Sequence, residues 1–196
     1  GDIIHAMVAL QFVKRKYPDC QIDWIVEEGF KGILESNPDI HQVYTVNIKK
    51  AKKNKSLRLL FQEFKKLRKL PKYDVVIDAQ GLIKSAIVAR MIPSDKTFGF
   101  DKYSIRESIA SLLYSHKISI AYDANTIDRN IKVICNPLGI EVFSDAIISK
   151  QSFLFSKNEV SLPSAPYILF VIGSTWESRN YPKEKFVHIA QSLEIN

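Results

Sequence analysis

Residues 73–92 read YDVVIDAQGLIKSAIVARMI. The run 74–80 is apolar between charged ends, which is the pattern of a strand buried on both faces, as in a parallel sheet. Gly81 follows, and 82–92 reads as a helix, so the stretch predicts strand, turn and helix in succession. Repetition of that unit along the chain decides the fold.

Toward the N-terminus, 56–70 places Leu57, Leu60, Phe61, Phe64, Leu67 and Leu70 on one helical face with a basic outer side, and Pro71 ends it. Before it, 43–48 (VYTVNI) and 21–28 (QIDWIVEE) read as strands, with a short helix in GFKGILES between them. A helix is expected from Asp2 to about Arg15, with Ile3, Met7, Leu10 and Val13 at helical spacing. Toward the C-terminus, 96–100 reads as extended, 104–114 as a helix and 118–122 as a weak strand. A helix from 125 to about 135 is broken at Pro137. Strands alternating with helices argue for an α/β domain on a mostly parallel sheet.

Beyond Ile140 serines and prolines scatter, as in a link between domains. The run 167–174 (YILFVIGS) is the most apolar strand candidate, followed by a loop and a helix near Pro182. The expected organisation is a first domain over 1–150, a linker over 151–166 and the start of a second α/β unit over 167–196.

Of the 196 residues 46% are apolar, enough to bury a real core, and 25% are charged, an ordinary globular share. No apolar run approaches the roughly 20 residues a membrane-spanning helix needs, and the expected compartment is the cytoplasm. Cys20 and Cys135 form no CxxC pair, which argues against a disulfide framework or a zinc site. The net charge is +7, and residues 49–72 carry eleven Lys or Arg against one acid, Glu63. Such a stripe favours a polyanionic partner, namely nucleic acid, anionic lipid or a phosphorylated glycolipid. A solvated helix face after a mobile loop is the alternative.

In open α/β sheets, ligands collect beyond the carboxyl ends of strands. Asp2 is a candidate general base there, and equally a helix N-cap. Around the end of strand 74–80, Asp78 is placed to bond a sugar hydroxyl or to cap the next helix, with Gln80, Lys84 and Ser85 beside it. Gly81 would let a ligand approach the backbone. Arg106 has a planar fork suited to carboxylate or phosphate, with Glu107 next to it. The loop GSTWESRNYP (173–182) offers Ser174, Thr175 and Arg179 to a phosphate, without the spacing of a P-loop. DxD, HExxH, GxSxG and GxGxxG are all missing from the sequence, and no metal centre is proposed.

Taken together, GDIIHAMVAL, IDWIVEEGF, YDVVIDAQGLIKSA, SIRESIASLLY and GSTWESRNYP occur in the order found in lipopolysaccharide heptosyltransferase I, and the chain resembles that glycosyltransferase family from first residue to last. The resemblance implies a two-domain GT-B fold. This chain would be the acceptor-binding Rossmann-like domain, without its first strand, plus the beginning of the donor domain, and therefore a piece of a longer protein. It implies inverting transfer of L-glycero-D-manno-heptose from ADP-heptose to Kdo2-lipid A, with no cofactor and no required metal. Asp2 would be the base. Acceptor contacts would come from Lys49, Lys50, Lys52, Lys53, Gln80, Lys84 and Arg106, and donor contacts from Ser174, Thr175 and Arg179, the last where the family usually has lysine. The expected location is the cytoplasm, peripheral to the inner membrane.

Three other readings stand beside it: a nucleic-acid-binding domain using 49–72, a GT-B transferase with another nucleotide sugar or acceptor, or an inert piece retaining only acceptor or membrane affinity. The first lacks a recognisable binding motif.

Overall fold

The computed structural model describes residues 2–156, 161, 163–170, 173, 178 and 180–193. The chain divides into two compact units, residues 1–157 and 158–196, and the first holds all the described strands.

In that unit β1 (Asp23–Glu27) pairs in parallel with β2 (Gln42–Val46), Asp23 opposite Gln42 and Glu27 opposite Val46. A second parallel sheet runs in the order β3 (Tyr73–Ile77), β4 (Ser94–Phe100), β5 (His116–Ile118). Parallel neighbours cannot be joined by hairpins, so the chain must cross over between them. Helices α1 (Asp2–Met7) and α2 (Leu10–Lys16) come first in the chain. Helices α3 (Ile48–Lys53) and α4 (Leu57–Leu67) lead from β2 to β3, and α5 (Ile83–Met91) leads from β3 to β4. Helix α6 (Thr126–Cys135) and the short α7 (Ser144–Ile148) complete the unit.

Local chemistry sets the helix ends. The Ser56 hydroxyl accepts from Leu59 N–H at 3.3 Å and starts α4, and the Asn125 side chain accepts from Ile127 N–H at 2.8 Å and starts α6. Helix α6 stops where Pro137 enters a 3-10 turn (Asn136–Leu138) that closes on Gly139 at φ 66°. Four apolar clusters hold the layers together. One joins Ala86 of α5 to Phe100, Tyr114, Ile118 and Val133, and another sets Val8, Phe12 and Val13 against Ile131 and Cys135. Met7 and Leu10 meet Val26 and Leu34, and Val46, Leu67, Val88 and Ile92 form the fourth. Between the sheets, the Tyr73 hydroxyl at the start of β3 donates to Asp23 Oδ2 at the start of β1, at 2.6 Å.

Several sequence expectations are corrected. The helix expected over 2–15 is two helices, because Ala9 N–H bonds the Ala6 carbonyl three residues back at 3.1 Å and tightens the chain at the buried Val8 and Ala9. Strand β3 is not buried on both faces: Asp74 is exposed and its neighbours are half-buried, since β3 is an edge of its sheet and Val76 lines a cleft. The lysine run is no loop, as 48–53 is helical. Residues 104–107 are not helical, and only a 3-10 segment (Ser108–Leu113) follows, because Ser104 is tied into a turn by Asp101 and Glu107 is drawn to another helix. The strand expected at 118–122 lies at 116–118.

The stretch expected to be a linker starts as part of the first unit. Gln151 N–H donates to Gln11 Oε1 at 3.0 Å, and the Phe153 carbonyl accepts from Asn37 Nδ2 at 3.0 Å while its ring packs on the core. In the second unit α8 (Lys183–Ser192) follows Pro182, and Phe186 meets Phe170 and Tyr181 edge-on. Residues 167–170 are not in a strand, and Tyr167, Ile168 and Leu169 are exposed. The remainder of the expected strand, save Gly173, lies outside the described residues.

Cys135 is 1% exposed, and burial pushes its thiol up to about 12, whereas Cys20 is half-buried. In the native protein a maleimide at neutral pH is expected to label Cys20 well before Cys135, with both reacting in denaturant. Equal native rates, read by peptide mass spectrometry, would show that α6 is not packed as described.

Candidate active site

Strand β3 ends at Ile77, and the residues that follow turn the chain into α5. Asp78, only 5% exposed, organises that turn. Its Oδ1 accepts from Gln80 N–H at 2.8 Å and Gly81 N–H at 3.2 Å. Its Oδ2 takes the Tyr114 hydroxyl at 2.7 Å and lies 2.7 Å from the Ser85 hydroxyl. Ser85 Oγ in turn accepts from Leu82 N–H at 3.1 Å, and Glu107 Oε2 accepts from Ile83 N–H at 2.7 Å, so the first turn of α5 is satisfied from two sides. With these donors on its oxygens, Asp78 builds the turn that starts α5, and it also lines the cleft of about 240 Å³ between β1 and β3.

Gly81 borders a cleft of about 340 Å³. It sits at φ 68°, and a Cβ there would lie 2.6 Å from Ile105 Cγ2, so backbone conformation and packing both require glycine. At Gly99 a Cβ would overlap the Tyr114 ring, so that glycine admits the ring whose hydroxyl reaches Asp78.

Asp2 is exposed, and among the described residues no group hydrogen-bonds its carboxylate, so the expected cap bond is not formed. It lines two clefts at once. The first, about 240 Å³, runs between β1 and β3 and brings Asp2 together with Lys49, Gln80 and Lys84 above a floor that includes Trp24, Val26 and Val76. The second, about 340 Å³, brings Asp2 and Gln80 together with Arg106. Lys49 carries its ammonium 5.0 Å from the Phe30 ring centre and its backbone N–H donates to Glu27 Oε1 at 3.2 Å. Lys50 and Lys53 are exposed on α3 and line neither cleft. The Lys52 side chain and all of Ser174, Thr175 and Arg179 lie outside the described residues.

Sequence reasoning placed a helix at α6 but gave it and the loop before it no part in the site. Asn130, 5% exposed, lines both clefts and donates to the Thr126 carbonyl at 2.8 Å. Arg129 lines the second cleft, and its guanidinium donates to the carbonyls of Ala121, Tyr122 and Ser104 while lying 5.0 Å from the Phe100 ring centre. It thereby ties the loop after β5 to the loop that bears Arg106. Asp101 organises the latter loop: burial alone would raise its carboxyl, but the Ser104 and Ser119 hydroxyls and the Ser104 and Tyr103 N–H groups hold it below the usual range. No spacing signal marks Arg129 or Asn130 as site residues, because their contribution depends on which loops α6 meets in space.

An α/β unit with exposed acid and cations at the carboxyl ends of parallel strands defines a ligand-binding domain of the Rossmann-like class. Solved structures share the fold. "E. coli heptosyltransferase WaaC with ADP" matches at TM-score 0.79 and 27% identity, over 97% of this chain and 60% of that one. A glycosyltransferase family 9 structure from Veillonella parvula shares the fold at TM-score 0.74 and 20% identity, over 96% of this chain and 55% of that one. Residues 61–195 match the model of glycosyltransferase family 9 (heptosyltransferase), and the chain belongs to that family. It is 36% identical to lipopolysaccharide heptosyltransferase 1 of Campylobacter coli, over 98% of this chain and 57% of that protein. Against the enzyme of the same name from Pseudomonas aeruginosa it is 32% identical, over 98% of this chain and 55% of that one. The chain thus spans somewhat more than half the length of these relatives.

Tyr114→Phe removes one donor from a buried carboxylate and is expected to lower stability by about 1–3 kcal/mol in urea unfolding. Burial and then the Asp78 charge push the Tyr114 phenol well above the usual tyrosine range. A raised phenol contributes fully below the unfolded tyrosine value of about 10, and its contribution is lost as pH rises beyond that. Wild-type stability should therefore fall above about pH 10, less steeply in Tyr114→Phe, with Tyr73, raised by burial and by Asp23, supplying the remainder. An unchanged alkaline slope in the variant would contradict this placement of the phenol.

Proposed function

We propose that this chain is the acceptor-side part of a heptosyltransferase that moves L-glycero-D-manno-heptose from ADP-heptose to a Kdo sugar of Kdo2-lipid A. The observation that carries the reading is the Asp2 carboxylate, without a hydrogen-bond partner among the described residues, at the meeting of two clefts, with Lys49, Lys84 and Arg106 around it. Relatives named lipopolysaccharide heptosyltransferase 1 align over nearly the whole chain, and a solved relative is "E. coli heptosyltransferase WaaC with ADP-2-deoxy-2-fluoro heptose".

Asp2 acts as general base. It takes the proton of the acceptor hydroxyl as that oxygen attacks the anomeric carbon, and the bond to the diphosphate breaks with its electron pair leaving on ADP. Attack opposite the leaving group inverts the anomeric centre. Lys49, Lys84 and Arg106 face an acceptor rich in carboxylate and phosphate, and Gln80 is held toward both clefts by the Asp78 turn. Ser174, Thr175 and Arg179 are assigned to the donor diphosphate. No resident metal is included, and the protein works in the cytoplasm at the inner membrane surface.

The test is ADP release from ADP-heptose and Kdo2-lipid A by the enzyme carrying this sequence and by its Asp2→Asn variant, with and without EDTA. Turnover is expected to drop by on the order of a hundredfold or more in the variant, with KM little changed, and to survive the chelator. Near-normal turnover in Asp2→Asn would remove Asp2 from the chemistry, and no transfer by the wild type would remove these substrates.

A further inference from the structure

Of residues 104–107 only Arg106 is exposed, and its neighbours are each fastened to a different part of the scaffold. Ser104 is fully buried; its hydroxyl donates to Asp101 Oδ1 at 2.6 Å and accepts from Ile120 N–H at 2.9 Å, while its carbonyl takes the Arg129 guanidinium. Ile105 packs against Gly81 in the turn after β3. Glu107 reaches the same turn, its Oε2 accepting from Ile83 N–H at 2.7 Å. Ile105 and Glu107 thus clasp one turn from positions i and i+2, and Arg106 between them is left to the second cleft, beside Asp2 and Gln80. Helix α5 has no acid in its own first turn and carries Lys84 there, so the negative charge that suits a helix start is supplied by Glu107 from another loop. Glu107 itself lines neither cleft.

We propose that Glu107 is a positioning residue: by gripping the start of α5 it holds Arg106 in the second cleft at a fixed place relative to Lys84, so that an acidic acceptor meets two cations at a set spacing. A guanidinium pairs with a carboxylate through two parallel bonds only when the two planes are aligned, and a small displacement forfeits one of them. An exposed arginine also loses side-chain freedom on binding, a cost that a backbone already fixed on both sides reduces. Because Glu107 lines neither cleft, its effect on the acceptor passes through Arg106 and α5. The grip requires an oxygen at the end of a side chain of this length. Glutamine supplies one, aspartate falls a methylene short, and alanine has none. The part that concerns the acceptor rests on the function proposed above; the grip on α5 does not.

The experiment measures hydrogen exchange and heptose transfer side by side in the enzyme carrying this sequence and in Glu107→Ala, Glu107→Asp and Glu107→Gln. Amides over 82–86 and 104–107 are expected to exchange about tenfold faster in the Ala and Asp variants and at the wild-type rate in Gln. With ADP-heptose and a deacylated Kdo acceptor, the Ala and Asp variants should raise the acceptor KM by about tenfold while kcat and the ADP-heptose KM stay within about twofold, and Gln should restore the acceptor KM. On an Arg106→Ala background, Glu107→Ala should add no more than about twofold, since the residue it positions is gone. The Asp variant keeps the charge and carries the test if Ala does not fold. A merely structural role would instead multiply with Arg106→Ala and depress turnover of both substrates, and that result would overturn the proposal. Unchanged exchange in the Ala and Asp variants, a wild-type acceptor KM in them, or a Gln variant that behaves like Ala would overturn it as well. A wild type that transfers nothing would sink the proposed reaction, and the exchange rates would then decide the grip on α5 by themselves.

Discussion

The hydrogen bonds on Asp78 are the constraint on which the site depends. A carboxylate buried at the end of a strand is stable only if its oxygens are met, and here two backbone N–H groups and two hydroxyls meet them. Those donors come from the turn, from the first turn of α5 and from Tyr114, which lies thirty-six positions along the chain. One buried charge therefore fixes the turn that presents Gln80, the start of the helix that carries Lys84, and the layer that supports β4. Gly99 belongs to the same construction, because any larger residue would push out the ring that reaches the carboxylate.

Around that centre, parallel pairing dictates where chemistry can occur. Each strand must be followed by a crossover, so the strand ends and the loops after them gather at one edge, and the charged residues there come from separate stretches of chain. Asp2 comes from α1, Lys49 from α3, Lys84 from α5 and Arg106 from the loop after β4. Arg129 then couples the loops at the second cleft through three carbonyls and an aromatic face. The site is thus an assembly of first turns and loop ends held by polar contacts, over a core made of ordinary aliphatic clusters.

What was legible in the sequence follows from local physics. The strands at 23–27, 42–46 and 73–77 and helices α4, α5 and α6 were visible because period and end signals, such as Ser56, Pro71, Asn125 and Pro137, are written in neighbouring residues. The candidate residues Asp2, Gln80, Lys84 and Arg106 were legible from their places after strands or at helix starts, and Lys49 from its charge run. Less legible was 104–114, where a helical pattern was overruled by Asp101 gripping Ser104 and by Glu107 reaching the start of α5, both contacts set by the fold.

By itself the sequence determined the α/β class, the alternation of elements, the concentration of positive charge and, through its ordered motifs, the family. Tertiary structure alone decided that Asp78 organises the turn into α5, that Asp2 has no hydrogen-bond partner among the described residues, that α6 closes two clefts, and that Leu57 and Phe61 face outward among cations. The reason is that periodicity tells which residues share a face, whereas only packing tells whether that face meets a neighbour, and a buried oxygen's role depends on donors drawn from the whole chain.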